Sequence, residues 1–366
     1  MRTSRRLRAM LPAALLACLA YSGTALADEP VGGALMGAAG TVVSPGAPPF
    51  PKGITASSWL VADLDSGAVL AAHDAHGRFA PASTLKTLTA LTLIPRLAPD
   101  RKVAPVFEDL NVDGTKVGLV EKVGYPVREL FTALLVVSGN DAAMTLADAD
   151  GGVPTAVAEM NEQARRVHAD DTHADNPSGL DAPGQVSSAY DLALIARAGM
   201  RLPDFRSYVA TKYSTISAPG TARLKIANHD KLLYNYPGAI GIKNGYTVRA
   251  QASMVGAATR NGHTLVVTLM HAQPRIWPEA AKLLDWGFAA TAAGLAPVGQ
   301  LVEPRDESAP AATSGPRARL QPLAVRAATA TSGPALVPWG ALAGVAGAGV
   351  LVALRRRRRN SSELPW

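Results

Sequence analysis

Pro81-Ala82-Ser83-Thr84-Leu85-Lys86 joins a chain breaker to the start of a helix. Leu85, Leu88, Leu91 and Ile94 recur behind it at helical spacing, and Pro95 ends the run, so Ser83 stands at the helix opening. Residues three apart share one helical face, which sets the Lys86 ammonium over the Ser83 hydroxyl. The Ser83 amide lies at the positive end of the helix dipole. A serine hydroxyl is a poor nucleophile until a base removes its proton. Lysine is such a base only when neutral, and moving its pKa from about 10.4 to near 7 costs about 4–5 kcal/mol. Burial and a second nearby cation can supply that shift. A capping serine beside a surface lysine has the same four letters, so the reading needs support from elsewhere in the chain.

Two later segments give it. Pro126 to Ala149 is apolar at helical spacing and interrupted at Ser138-Gly139, which reads as two helices joined by a short loop. Ser138-Gly139-Asn140 then sits where side chains can point into a cleft, although a helix cap uses the same residues. Further on, Lys243-Asn244-Gly245-Tyr246-Thr247 precedes strand-like sequence. Gly245 would let a substrate backbone approach closely, and Lys243 is the second cation the Ser83–Lys86 pair requires. Lys116-Val117-Gly118 and Lys122-Val123-Gly124 repeat the Lys-x-Gly pattern without that context.

Around these segments the class is mixed α and β. Trp59–Leu64 and Ala68–Leu70 flank the turn Asp65-Ser66-Gly67, and Ser253–Thr259 and Thr264–Met270 flank Asn261-Gly262. Pro278 to Phe288 reads as a closing helix. Strands at both ends with helices between them predict an antiparallel sheet packed with a helical lobe.

The ends read differently. Residues 1–27 have a basic start (Arg2, Arg5, Arg6, Arg8), an apolar middle and the small-residue site Ala25-Leu26-Ala27, the pattern of a signal peptide. Cys18, the only cysteine, falls inside it, so no disulfide or thiol chemistry is expected after cleavage. Residues 28–53 read as a flexible lead-in, 54–302 as the catalytic domain and 303–333 as a Pro/Ala/Ser/Thr-rich stalk. Residues 334–354 are apolar and long enough to cross a bilayer, and the tail 355–366 starts with five arginines. That order predicts an anchored protein with its body on the extracytoplasmic side. The net charge of +7 resides in the signal and tail, leaving residues 28–354 at −1. A near-neutral body gives no support to nucleic-acid binding. His168, His173, Asp170, Asp171 and Asp175 lack any metal-ligand spacing and read as a solvated loop, so neither a metal nor a cofactor is expected.

With these residues in place, the chain resembles the D-alanyl-D-alanine carboxypeptidases among the low-molecular-mass penicillin-binding proteins. The likeness spans roughly residues 55–290. It adds Asp141-Ala142-Ala143, Asn176-Pro177-Ser178-Gly179-Leu180 and Lys282-Leu283-Leu284-Asp285-Trp286-Gly287-Phe288 to the three segments above. The resemblance implies a serine β-lactamase/DD-peptidase-like fold and removal of the terminal D-alanine from peptidoglycan stem peptides ending in D-Ala-D-Ala. It implies Ser83 as acylated nucleophile, Lys86 as general base, Ser138 as proton relay and Asn140 as a cleft residue. Lys243, Asn244, Gly245 and Thr247 would bind substrate, and the Ser83 and Tyr246 amides would form the oxyanion hole. β-Lactam antibiotics would acylate Ser83. Three departures accompany the likeness. Asn244 stands where the family usually has threonine, Gln185 replaces a frequent histidine, and the arginine that often holds the terminal carboxylate is best matched by Arg275. A β-lactamase or esterase of the same fold is the competing enzyme reading, but no Glu-x-x-Leu-Asn follows the second segment. A non-catalytic cell-wall-binding scaffold is the competing non-enzyme reading.

Overall fold

The computed structural model describes residues 29–305. The expected signal peptide, almost all of the stalk, the membrane helix and the basic tail lie outside these residues. Among the described residues no helix is long and apolar enough to cross a membrane.

One antiparallel sheet organises the body. Its strands are β1 (Thr41–Val43), β2 (Ser58–Asp63), β3 (Ala68–His73), β4 (Ala239–Thr247), β5 (Gln251–Arg260), β6 (His263–Ala272) and β7 (Gly299–Gln300). They run in the order β1-β3-β2-β6-β5-β4, with β7 also pairing β3. The two expected hairpins are the β2–β3 and β5–β6 turns, and Asn261 and Gly262 at the second both take positive φ, as a tight hairpin turn requires.

Central strands are buried on both faces, and period-two alternation sorts their side chains between two cores. Trp59 and Val61 of β2, with Leu265, Val267 and Leu269 of β6, face the closing helix Trp277–Ala292. Leu60, Ala62, Val266 and Met270 face the helical lobe. That lobe comprises α1 (Lys86–Leu93), α2 (Val127–Thr132), α3 (Asn140–Ala149), α4 (Val153–Arg166) and α5 (Ala189–Gly199). Ser188 caps α5 by accepting the Asp191 N–H at 3.1 Å.

Residues 29–53 correct the expected flexible lead-in. Thr41–Val43 pairs with Ala71–His73, Met36 is fully buried, and Phe50 stacks on Trp59 with ring centroids 4.8 Å apart. The Gly- and Pro-rich composition concealed this, because a short edge strand and two apolar anchors need few residues. β1 and β7 share the outer edge of β3, so both ends of the body close on the same strand.

Candidate active site

The site lies where the start of α1 meets β4, the last strand of the sheet. Ser83 sits in a 3-10 turn, Ala82–Leu85, that runs directly into α1. Ala82 takes φ 49, a left-handed conformation that costs a non-glycine residue strain. Neighbours hold it there. Ser253 Oγ of β5 donates to the Pro81 carbonyl at 2.6 Å, and Gly179 packs so tightly that a Cβ on it would lie 2.0 Å from the Ala82 oxygen. Gly179 also has φ +81, so glycine is required there for space and for backbone.

The Lys86 ammonium is completely buried and touches three oxygens. It lies 3.1 Å from Ser83 Oγ and 2.6 Å from Asn140 Oδ1, and it also donates to the Ser178 carbonyl. Burial drives the Lys86 pKa well down, and the positive charge of Lys243 adds to that shift. Lys243 is itself 1% exposed and is lowered to about 8 by burial, which Asp230 partly opposes. Its Nζ donates to the Asn244 carbonyl at 2.7 Å. Lys116 and Lys122, the other Lys-x-Gly lysines, are exposed.

Ser138 ends a π-turn, Ala133–Val137, and takes φ 67. π-Turns of this kind recur at functional sites, where they displace one residue from the helical path. Asn140 then opens α3 and is held from two sides: its Nδ2 donates to the Asp113 carbonyl and its backbone N–H to the Thr115 carbonyl, both at 2.7 Å. Fixing the amide fixes the oxygen that meets Lys86.

β4 brings the third segment. Gly245 passes so close to the nucleophile that a Cβ on it would stand 2.5 Å from the Ser83 nitrogen. Asn244, Gly245, Tyr246 and Arg275 line one pocket with His229 and Asp230. Arg275 is exposed there. Burial pushes Asp230 up to about 6 against the pull of Lys243, and it pushes His229 down to about 4, with Lys243 and Lys231 adding to that shift. Thr247 is placed less directly, since its hydroxyl donates to Asp181 Oδ1 at 2.8 Å. A cleft of about 510 Å³ lined by Leu64, Arg197, Met200 and Arg206 is larger, but it contains no nucleophile–base pair.

Three supports were not legible as such. Asp141 accepts the N–H groups of Val117, Gly118 and Leu119 at 2.8–3.1 Å, as well as that of Ala142. It thereby pins the loop beside the Ser138–Asn140 turn. Asn176 Oδ1 gathers the Ser178 and Gly179 amides and so aims the Ser178 carbonyl at Lys86. Gln185 Oε1 accepts from the Asp175 and Asn176 amides, so this substitution for histidine still holds the loop.

Residues 43–274 match the family model for D-alanyl-D-alanine carboxypeptidase. The chain belongs to this family. It is 44% identical over 251 residues to a D-alanyl-D-alanine carboxypeptidase of Mycobacterium tuberculosis, a match covering 67% of this chain and 86% of that protein. Among solved structures, a D-alanyl-D-alanine carboxypeptidase from M. tuberculosis H37Rv superposes with a TM-score of 0.66 at 41% identity, covering 72% of this chain and all of that one. A Streptomyces DD-transpeptidase superposes at 0.62 with 29% identity, covering 66% of this chain and 99% of that one. Family membership makes the chain a serine hydrolase with the mixed α and β fold expected of it. The sheet and helical lobe described above are this family's architecture.

Proposed function

We propose that this carboxypeptidase-family chain removes the terminal D-alanine of peptidoglycan stem peptides through an acyl-enzyme on Ser83. The observation that carries the reading is the fully buried Lys86 ammonium, 3.1 Å from Ser83 Oγ with Lys243 as a second cation nearby. Lysine in that setting is neutral at far lower pH than in water, so it can accept the serine proton.

The sequence of events follows from these positions. Neutral Lys86 takes the hydroxyl proton as Ser83 Oγ attacks the carbonyl carbon of the penultimate D-alanine. Negative charge develops on the carbonyl oxygen, which the Ser83 and Tyr246 amides receive, an interaction typically worth about 3–4 kcal/mol at the transition state. The departing D-alanine amine is protonated through Ser138, and the peptidyl ester on Ser83 is then hydrolysed by water, releasing the shortened peptide. β4 is the outermost strand, so an extended peptide can align along its edge. Lys243, Asn244 and Arg275 supply the positive and donor groups that a terminal carboxylate seeks, and Thr247 supports that end through Asp181. A β-lactam carries the same carboxylate and a strained amide, and acylates the same hydroxyl.

The apolar run before the arginine tail supports membrane anchoring of this body on the cell-wall side, after removal of residues 1–27. The test of the catalytic reading is release of D-alanine from diacetyl-Lys-D-Ala-D-Ala by wild type and by Ser83→Ala. Release by the wild type alone supports it. Equal release by both proteins, or none by the folded wild type, rejects it.

A further inference from the structure

Away from the serine, ligand-type groups from three segments converge. His76 follows β3, Asp171 lies between α4 and α5, and Asp191 is in the first turn of α5. One ligand atom from each lies within 4.8 Å of the others. His76 Nε2 stands 3.0 Å from the Val31 carbonyl, which can only accept, so Nε2 carries the hydrogen. Nδ1 then faces Asp171 Oδ2 at 2.6 Å. That separation is a charge-assisted hydrogen bond with a proton on Nδ1, and an ion that took the proton's place would have to open the pair to about 3 Å.

The three groups are also fixed from behind. Arg78 Nε donates to Asp171 Oδ1 at 2.9 Å, and Thr172 Oγ1 donates to Asp191 Oδ2 at 2.7 Å. Metal-binding histidines are held in this way, with the second ring nitrogen donating to a carbonyl or carboxylate, and metal-binding carboxylates are hydrogen-bonded in turn. Asp191 is 1% exposed, and its Oδ1 is buried with no hydrogen-bond partner. A buried carboxylate oxygen left in that condition is costly. The three residues line a cavity of about 300 Å³ together with Glu29, Arg78, His168 and Asp170.

We propose that His76 Nδ1, Asp171 and Asp191 bind one divalent transition-metal ion, zinc in preference to calcium or magnesium. One imidazole and two carboxylates suit zinc, whereas calcium and magnesium favour all-oxygen sets. Two negative ligands balance the ion, and Arg78 stays on the outer oxygen of Asp171. When no metal is bound, protons take its place. The site joins the N-terminal segment, the end of β3 and α5, so its effect is on stability, and it lies outside the acylation machinery.

The experiment uses the untagged full-length chain, stripped by chelator and titrated with zinc chloride at neutral pH by calorimetry. We expect one zinc per chain, a raised melting temperature, and affinity lowered about 100-fold or more in Asp191→Asn and in His76→Phe, which keeps the ring against Tyr190. In the wild type, zinc should also protect His76 from diethyl pyrocarbonate, as mapped by mass spectrometry, a readout independent of whether a variant folds. Absence of saturable binding, zinc binding that leaves His76 unprotected, or unchanged affinity in both folded variants would overturn the site.

Discussion

The body contains two buried polar clusters of opposite character. Beside Ser83, Lys86 and Lys243 are sealed from water, and the carboxylates near them are otherwise engaged or partly neutralised. Asp141 is committed to four backbone amides, and burial raises the Asp230 pKa. In the His76–Asp171–Asp191 cluster two carboxylates, one of them buried, meet a single imidazole, with the Arg78 guanidinium on the outer oxygen of Asp171. Burial makes both arrangements costly. The group types suit the occupants proposed for each: lysines for a carboxylate-ended substrate, and two carboxylates with an imidazole for a cation.

The largest expected effects separate base from charge within the first cluster. Ser83→Ala should lower D-alanine release by about 10³-fold or more. Lys86→Arg keeps a cation but cannot be deprotonated, and should lower acylation by about 10²–10⁴-fold. Substantial acylation by Lys86→Arg, measured with a fluorescent penicillin, would show that Lys86 contributes charge rather than a base, and the comparison would fail.

Backbone fit should matter next. Gly179→Ala places a Cβ against the Ala82 oxygen at left-handed φ, so thermal or denaturant unfolding should show a loss of about 3 kcal/mol or more. Gly245→Ala crowds the Ser83 nitrogen from an ordinary strand backbone, so its acylation rate should fall more than its melting temperature. Equal effects of the two variants on both readouts would remove that distinction.

The pH profile sharpens the charge argument. The proposed mechanism needs Lys86 neutral and Lys243 charged. Penicillin acylation should therefore rise with pH as Lys86 deprotonates and decline as pH passes about 8, where Lys243 loses its proton. An acylation rate still rising well above pH 8 would remove Lys243's charge from the account. The smallest effect is expected from Asn244→Thr, a severalfold change in KM for the peptide with kcat nearly unchanged, read from steady-state D-alanine release.

Much of this was legible in the chain because it is local. The Ser83–Lys86 spacing, the break at Ser138-Gly139 and the two hairpin turns each depend on a few consecutive residues. Family resemblance supplied the order of the segments and the fold. What could not be read depends on distant partners. Nothing near Gly179 in sequence announces that its missing side chain makes room for the Ala82 carbonyl, 97 residues earlier in the chain. Asp141 looks like a cap because the amides it gathers lie 22–24 residues upstream. Residues 29–53 looked flexible by composition, yet their order comes from pairing with β3 and from Phe50 against Trp59. The run His168–Asp175 looked like a solvated loop because its two prospective co-ligands, His76 and Asp191, lie in other segments.

The most direct test of the central claim is to incubate wild type and Lys86→Arg with benzylpenicillin for the same time, and to locate any adduct by intact-mass and peptide mass spectrometry. The account predicts one penicilloyl group on Ser83 in the wild type and little or none in Lys86→Arg. A folded wild type that stays unmodified, or that carries its adduct on another residue, would contradict it.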